Sequence, residues 1–215
     1  MEEPIEIVVF DMDGVLVDIE SSWSCVHNAF KVGKNDNLSR YLKGDIDFRE
    51  LMRRDISLWG HVKLSAVEGI LGAIPIMKGA KETMSELRRA GCGTAIISAG
   101  ISVLADRLKR VLGIDYSLAN RLVVDENGVL TGEGEDEVPL LEKARVIERF
   151  ASEQRIGLDN LAAVGDSRYD IPVFEEVRLG IAFNSSGKEV KQKADVVVDG
   201  KDLRGILPHI IKGEP

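Results

Sequence analysis

Short runs of aliphatic, largely β-branched residues recur along this chain with amphipathic helical stretches between several of them, and no other feature restricts its fold as strongly. The runs are Ile5–Phe10, Thr94–Ile97, Leu161–Val164, Leu179–Ala182 and Asp195–Val198. Apolar residues at helical spacing mark Lys81–Ala90, Ile101–Leu112 and Leu140–Glu153. Strands that alternate with helices predict an α/β fold, a doubly wound, mostly parallel sheet with helices on both faces. Ligands in such sheets bind beyond the carboxyl ends of the strands. Aromatics make up only 5% of the residues, so the core must be built chiefly from Ile, Val, Leu and Ala.

The stretch 18–72 breaks this rhythm. It holds no convincing strand, whereas Trp23, Val26, His27 and Phe30 follow the i, i+3, i+4, i+7 stripe of an amphipathic helix. Phe48, Leu51, Met52, Ile56 and Trp59 make a second stripe, and Val62–Leu71 a third. A small helical domain over 18–72 is therefore expected to interrupt an α/β domain formed by 1–17 and 73–215, with Pro75 and Gly79 marking the return. Farther on, Asp125-Glu126-Asn127-Gly128 between two β-branched runs predicts a β-hairpin. The acidic stretch Gly132–Glu137 reads as a solvated loop.

The chain carries 36 acidic and 28 basic side chains, a net charge of −8, which argues against a nucleic-acid partner. Arg49, Arg53 and Arg54 are interleaved with Asp47, Glu50 and Asp55 and read as a solvated helix flank. Cys25 and Cys92 form neither a CxxC pair nor a metal-ligand spacing, which fits a reduced, cytoplasmic protein. Met1-Glu2-Glu3 is acidic where a secretory signal needs positive charge. No segment approaches the roughly 18 uninterrupted apolar residues of a membrane span.

The chemistry is concentrated in small motifs at the ends of the apolar runs. Phe10-Asp11-Met12-Asp13-Gly14 places two acids directly after the first run. They are either a polar loop, or a nucleophilic carboxylate with a second carboxyl to move protons. Gly14 at the fourth position and Val15 at the fifth exclude an EF-hand loop. Ser98-Ala99-Gly100 ends the second run and is either a helix N-cap or a phosphate pocket of hydroxyl and backbone N–H groups. Lys143 has no meaning alone. Gly165-Asp166-Ser167-Arg168-Tyr169-Asp170 carries two acids four residues apart, which either cap a helix or hold a hard cation.

Taken in this order, the motifs resemble those of the haloacid dehalogenase superfamily, whose phosphatases carry Asp-x-Asp-Gly, then Ser or Thr, then Lys, then Gly-Asp-x-x-x-Asp. The chain is most similar to the phosphoserine phosphatase-like subgroup. Asp115-Tyr116, Ala119-Asn120-Arg121-Leu122-Val123-Val124 and Leu130-Thr131-Gly132 extend the likeness, and the Lys143 to Asp166 separation fits it. The resemblance implies a Rossmann-like core with an inserted helical cap, and a Mg²⁺-dependent phosphomonoesterase for a small phosphorylated metabolite. By the same resemblance Asp11 is the nucleophile and Asp13 the general acid and base. Ser98, Ala99, Gly100 and Lys143 then hold the phosphate. Asp11, the Asp13 backbone carbonyl and Asp166 hold Mg²⁺, with Asp170 orienting the cluster. Glu20 and Phe48 line the substrate site.

The chain also departs from the pattern. Two turns after Phe48 the subgroup carries an Arg that reads a substrate carboxylate, and this chain has Asp55. Ser167 and Tyr169 stand where Gly and Asn are common, and Ala99 where Gly is usual. Asp55 either joins an ion pair within the cap or faces the substrate, and phosphoserine is expected to be a possible but not optimal substrate. A phosphatase for another phosphoalcohol or a sugar phosphate, or a phosphotransferase to another alcohol, are the alternatives. A carbon-attacking dehalogenase has no use for Asp13. A receiver-like phospho-acceptor domain has no use for Ser98, Lys143 and the insert.

Overall fold

The computed structural model describes residues 4–211. The acidic Met1-Glu2-Glu3 terminus lies outside the described residues. A sheet of seven strands runs β1 (Ile7–Phe10), β2 (Gly93–Ile101), β3 (Tyr116–Val124), β4 (Leu130–Glu135), β5 (Leu161–Gly165), β6 (Leu179–Phe183) and β7 (Val196–Val198) in sequence. In space the order is β4-β3-β2-β1-β5-β6-β7. Every pairing is parallel except that of β3 with β4. The α/β fold expected from the alternating runs is the fold observed.

β1 is buried along its whole length, which is why it reads as an unbroken apolar run rather than an alternating one. Val8 and Phe10 enter one core, Ile7 and Val9 the other. This is the period-two geometry of a strand covered on both faces. The first core is closed by α5 (Ala80–Arg89), α6 (Ser102–Leu112) and α10 (Leu207–Ile210), through residues such as Met84, Leu87, Leu104 and Leu108. The second is closed by α7 (Lys143–Gln154), α8 (Ile171–Phe174) and α9 (Lys188–Lys193), through Ile147, Phe150 and Val190. Because β2 and β5 flank β1 on opposite sides, the chain winds away from β1 in two directions and leaves a crevice beyond its carboxyl end.

Between β1 and α5 lie four helices, α1 (Ser22–Ala29), α2 (Asn37–Leu42), α3 (Phe48–Ser57) and α4 (Leu64–Gly72). The three stripes read from sequence correspond to α1, α3 and α4, while α2 gave no apolar period. The chain leaves and returns through adjacent backbone, with Met77 N–H donating to the Leu16 carbonyl at 2.8 Å and Val17 bridged to Ile76. Phe48, Leu51, Met52 and Ile56 form the buried face of α3. Trp59, just past its end, stacks on Trp23 of α1 with ring centroids 5.6 Å apart. The arginines of α3 are neutralised locally: Arg53 and Arg54 by Glu50, and Arg49 by Asp136.

Some boundaries differ from the sequence reading. The expected loop Gly132–Glu137 is partly strand, because β4 carries Leu130–Glu135 and α3 packs over it, with Met52 and Ile56 against Gly134. The acidic side chains there masked a sheet edge that a helix covers. The hairpin itself forms as expected, with Gly128 at φ +73° and Asp125 N–H donating to the Val129 carbonyl. α6 begins at Ser102, and α7 at Lys143 rather than Leu140. Among the described residues no helix is long and apolar enough to cross a membrane.

Candidate active site

The turn after β1 sets the position of both acids of the first motif. Asp11 N–H still donates to the Val164 carbonyl of β5, so Asp11 leaves the sheet in register. The chain then folds back on itself, with the N–H groups of Val15, Leu16 and Val17 all directed at the Met12 carbonyl. Gly14 makes this turn at φ +80°, and a Cβ there would collide with the Asp166 carboxylate. Both facts demand glycine. Gly14→Ala is expected to destabilise the fold by about 1–3 kcal/mol, the usual cost of forcing a side chain into such a conformation. Chemical denaturation checks this, and an unchanged midpoint would refute the close approach.

Lys143 stands at the first turn of α7 and is 5% exposed. Its ammonium contacts Asp11 Oδ2 at 3.1 Å and Asp170 Oδ1 at 2.6 Å. The other oxygen of Asp170 accepts from the backbone N–H groups of Asp166 and Ser167 and from the Ser167 hydroxyl, at 2.9–3.2 Å. The capping reading of this motif is met, for Asp170 closes a capping box with Ser167, while its other oxygen is turned to Lys143. Burial opposes the charge on Lys143, but Asp11 and Asp170 outweigh it and hold its pKa above the ordinary lysine value. Burial also pushes the Asp11 carboxyl up, against the pull of Lys143. Asp166 is pushed up to about 8 by burial first and then by the charges of Asp11 and Asp170.

Carboxylate oxygens of Asp11, Asp166 and Asp170 all lie within 4.8 Å of one another. Three acids with one lysine among them leave an excess of buried negative charge. An all-oxygen donor set of that charge fits a hard divalent cation. Asp11 and Asp166 are the better candidates for direct contact, since both line the cavity, whereas Asp170 is buried behind it with three donors on one oxygen and Lys143 on the other.

Asp13 is held differently. Its Oδ2 accepts from the backbone N–H of Ser22 at 2.7 Å and the Ser22 hydroxyl at 2.8 Å, at the first turn of α1. Its Oδ1 is buried without a hydrogen-bond partner. Burial pushes this carboxyl up to about 7 despite the Ser22 bonds. A group balanced between its two protonation states near neutrality can both give and take a proton. Ser22 was not singled out from sequence, and nothing in the spacing of Asp13 and Ser22 signals the contact.

Ser98, Ala99 and Gly100 do not form a helix N-cap. β2 continues through them with an irregular register to Ile101. The chain stays extended because the Ala99 carbonyl accepts from Trp23 Nε1 and Asn120 Nδ2, and Ile101 N–H donates to the Ser22 hydroxyl. Gly100 N–H turns onto the Ser98 hydroxyl at 3.2 Å, and Ser98 lies beside Asp11, favouring its charged form. A side chain at Gly100 would meet Met12, Ser22 and Asp13.

These groups open on one cavity of about 860 Å³ between the strand ends and the helical insert. Asp11, Asp13, Ser98, Ala99, Gly100, Lys143 and Asp166 line its floor, and Glu20, Phe48 and Asp55 its other side. Asp170 lies behind this wall. Glu20 is exposed and Phe48 buried. Asp55 lines the cavity and is also paired: Oδ1 accepts from Asn37 Nδ2 at 2.8 Å, and Oδ2 is 3.5 Å from His27 Nε2.

A family model for haloacid dehalogenase-like hydrolases matches residues 8–175. Phosphoserine phosphatase of Methanocaldococcus jannaschii is 34% identical over 98% of this chain and 100% of that one. Phosphoserine phosphatase of Archaeoglobus fulgidus is 37% identical over 93% of this chain and 58% of that one. Among solved structures, a phospho-aspartyl intermediate analogue of phosphoserine phosphatase superposes with a TM-score of 0.81 at 31% identity, over 97% of this chain and 100% of that one.

Proposed function

This chain belongs to the haloacid dehalogenase-like hydrolase family and is a phosphatase of the phosphoserine phosphatase-like kind, and from that premise we propose that it hydrolyses a small phosphomonoester through a covalent aspartyl-phosphate on Asp11. The observation that carries this reading is the pairing of two unlike carboxyls on one cavity. Asp11 contacts Lys143, and Asp13, held by Ser22, lines the same cavity.

The Asp11 carboxylate attacks phosphorus, forming an O–P bond as the bond to the alcohol oxygen breaks. Asp13 gives its proton to the departing oxygen. It then takes a proton from the water that attacks the acyl-phosphate, releasing inorganic phosphate and restoring Asp11. Lys143 and the Ser98 hydroxyl steady the phosphoryl oxygens while charge builds on them. Ser22 aims Asp13, and Asp170 positions Lys143 and the Asp166 segment. A divalent cation, Mg²⁺ in this reading, would be held by Asp11, the Asp13 backbone carbonyl and Asp166, and would supply positive charge against the phosphoryl group. Residues 18–72 act as a cap domain over the site, with Glu20 and Phe48 on its substrate side, while the described residues of 1–17 and 73–215 form the core. Two free thiols fit the cytoplasm.

Phosphate release from para-nitrophenyl phosphate, with a phosphoryl group recovered on the peptide carrying Asp11 after acid quench, tests this proposal. Release without any modified Asp11 peptide would overturn the covalent route. Excess Ca²⁺ added to the Mg²⁺ enzyme is expected to slow release. Ca²⁺ takes more ligands at longer range and can engage both oxygens of the nucleophile. Unchanged rates under Ca²⁺ excess would count against a compact Mg²⁺ site.

A further inference from the structure

Trp59, His27, Asp55 and Asn37 form one chain of polar contacts, two hydrogen bonds joined by a His27–Asp55 contact, of which His27 and Asp55 line the cavity. Trp59 Nε1–H donates to His27 Nδ1 at 2.9 Å. An indole nitrogen is a donor only, so Nδ1 must be an acceptor and the imidazole proton sits on Nε2. That proton faces Asp55 Oδ2 at 3.5 Å, while Asn37 holds Oδ1 at 2.8 Å. The chain ties α1, α2 and α3 together. It also fixes a carboxylate on the apolar face of α3, with side-chain exposure of 13%, toward the cavity. A carboxylate has about four acceptor sites, and these two partners leave Asp55 with spare capacity.

The rest of the wall has the same sign. Glu20 stands on the insert side of the cavity mouth. Lys143, the cation of the floor, is already committed to Asp11 and Asp170. Arg168 and Lys188 line the cavity from the core side, both exposed at its rim, with Glu189 beside Lys188. On the insert side the lining offers a substrate acceptors and no cation.

The geometry points to Asp55, oriented by His27 and Asn37, as the residue that reads the leaving group, and to a substrate whose alcohol carries a hydroxyl or ammonium donor and no carboxylate. This inference rests on the phosphatase reading above. A donor reaches the free lone pairs of Asp55, whereas a carboxylate would meet like charge in a partly desolvated recess.

Two matched pairs of esters test it in the intact enzyme. Phosphoethanolamine and O-phosphoserine differ by one carboxylate, as do 2-hydroxyethyl phosphate and 3-phosphoglycerate. The carboxylate-free member of each pair should have the higher kcat/KM, by about tenfold or more if a like-charge contact is removed. Which pair is faster overall distinguishes an ammonium from a hydroxyl leaving group. Asp55→Asn keeps the shape and the Asn37 contact, and should shrink the ratio within each pair toward unity. A purely structural Asp55 would lower all four rates by a common factor and leave the ratios unchanged, which overturns the inference. Preference for the carboxylate-bearing esters in the unaltered enzyme overturns it without any variant. Release from none of these esters nor from para-nitrophenyl phosphate would instead overturn the phosphatase reading, and this inference with it.

Discussion

Asp11→Asn is expected to reduce phosphate release by on the order of 10⁴-fold or more, the scale seen when a nucleophile is removed from a cooperating site. An amide has almost no nucleophilicity toward phosphorus and cannot form the acyl-phosphate. The fold should survive the change. Asn is isosteric, and its carbonyl can still accept from the Met12 N–H that Asp11 Oδ1 now holds at 2.7 Å. Lys143 loses a contact at 3.1 Å but keeps Asp170 at 2.6 Å. Against that loss, burial raises the pKa of Asp11, so its ionised form costs stability at pH above that raised value, and the amide removes the cost. The variant should therefore be inactive with Mg²⁺ present, and without metal no less stable than the parent. Steady-state rates and denaturation midpoints read the two effects separately. A variant that keeps more than a few per cent of the rate would dismiss Asp11 as nucleophile.

Lys143→Met should damage both rate and fold. Methionine preserves the length and apolar volume of the stem, so the change isolates the ammonium. Without it Asp11 and Asp170 face each other unpaired in a buried site, and breaking such a pair by deleting one partner costs about 3–5 kcal/mol. The effect should spread, because Asp170 also receives the backbone N–H groups of Asp166 and Ser167. The rate should fall by about 10²- to 10³-fold, the usual result of deleting one donor to a charged transition state. Saturating Mg²⁺ should restore part of the stability by offsetting the acids, but not the rate. Recovery of both by the cation alone would mean that Lys143 only balances charge and does not hold the phosphoryl group.

The first, second and fourth motifs were legible because each follows an apolar run, so a linear pattern already states which strand end bears them. β1 is a case in point: Ile7–Phe10 is hydrophobic without a break because both its faces are covered, and Asp11 and Asp13 follow it directly. Lys143 needed the order of the other motifs to acquire meaning, since a lysine on a helix is otherwise a surface residue. α2 escaped notice because its six residues, Asn37–Leu42, are too few to display a period. The second half of β4, from Gly132 to Glu135, escaped because its alternation is of glycine and acid rather than of apolar and polar residues, and its burial comes from α3 lying across it.

What the order of residues determined alone was the sheet, the helical insert and the identity of the acids that meet at the centre of that sheet. Tertiary structure decided how each acid behaves. Asp13 is pushed toward its neutral form because burial strips water from it, against the opposing pull of the Ser22 hydrogen bonds, and Asp170 is tied to Lys143, 27 residues away in sequence. Asp55 could be read along α3 only as an acid in an apolar stripe. Its partners His27 and Asn37 come from two other helices. Charge, burial and hydrogen bonding are set by which distant segments share a volume, and the spacing of residues along one strand or helix carries no record of that.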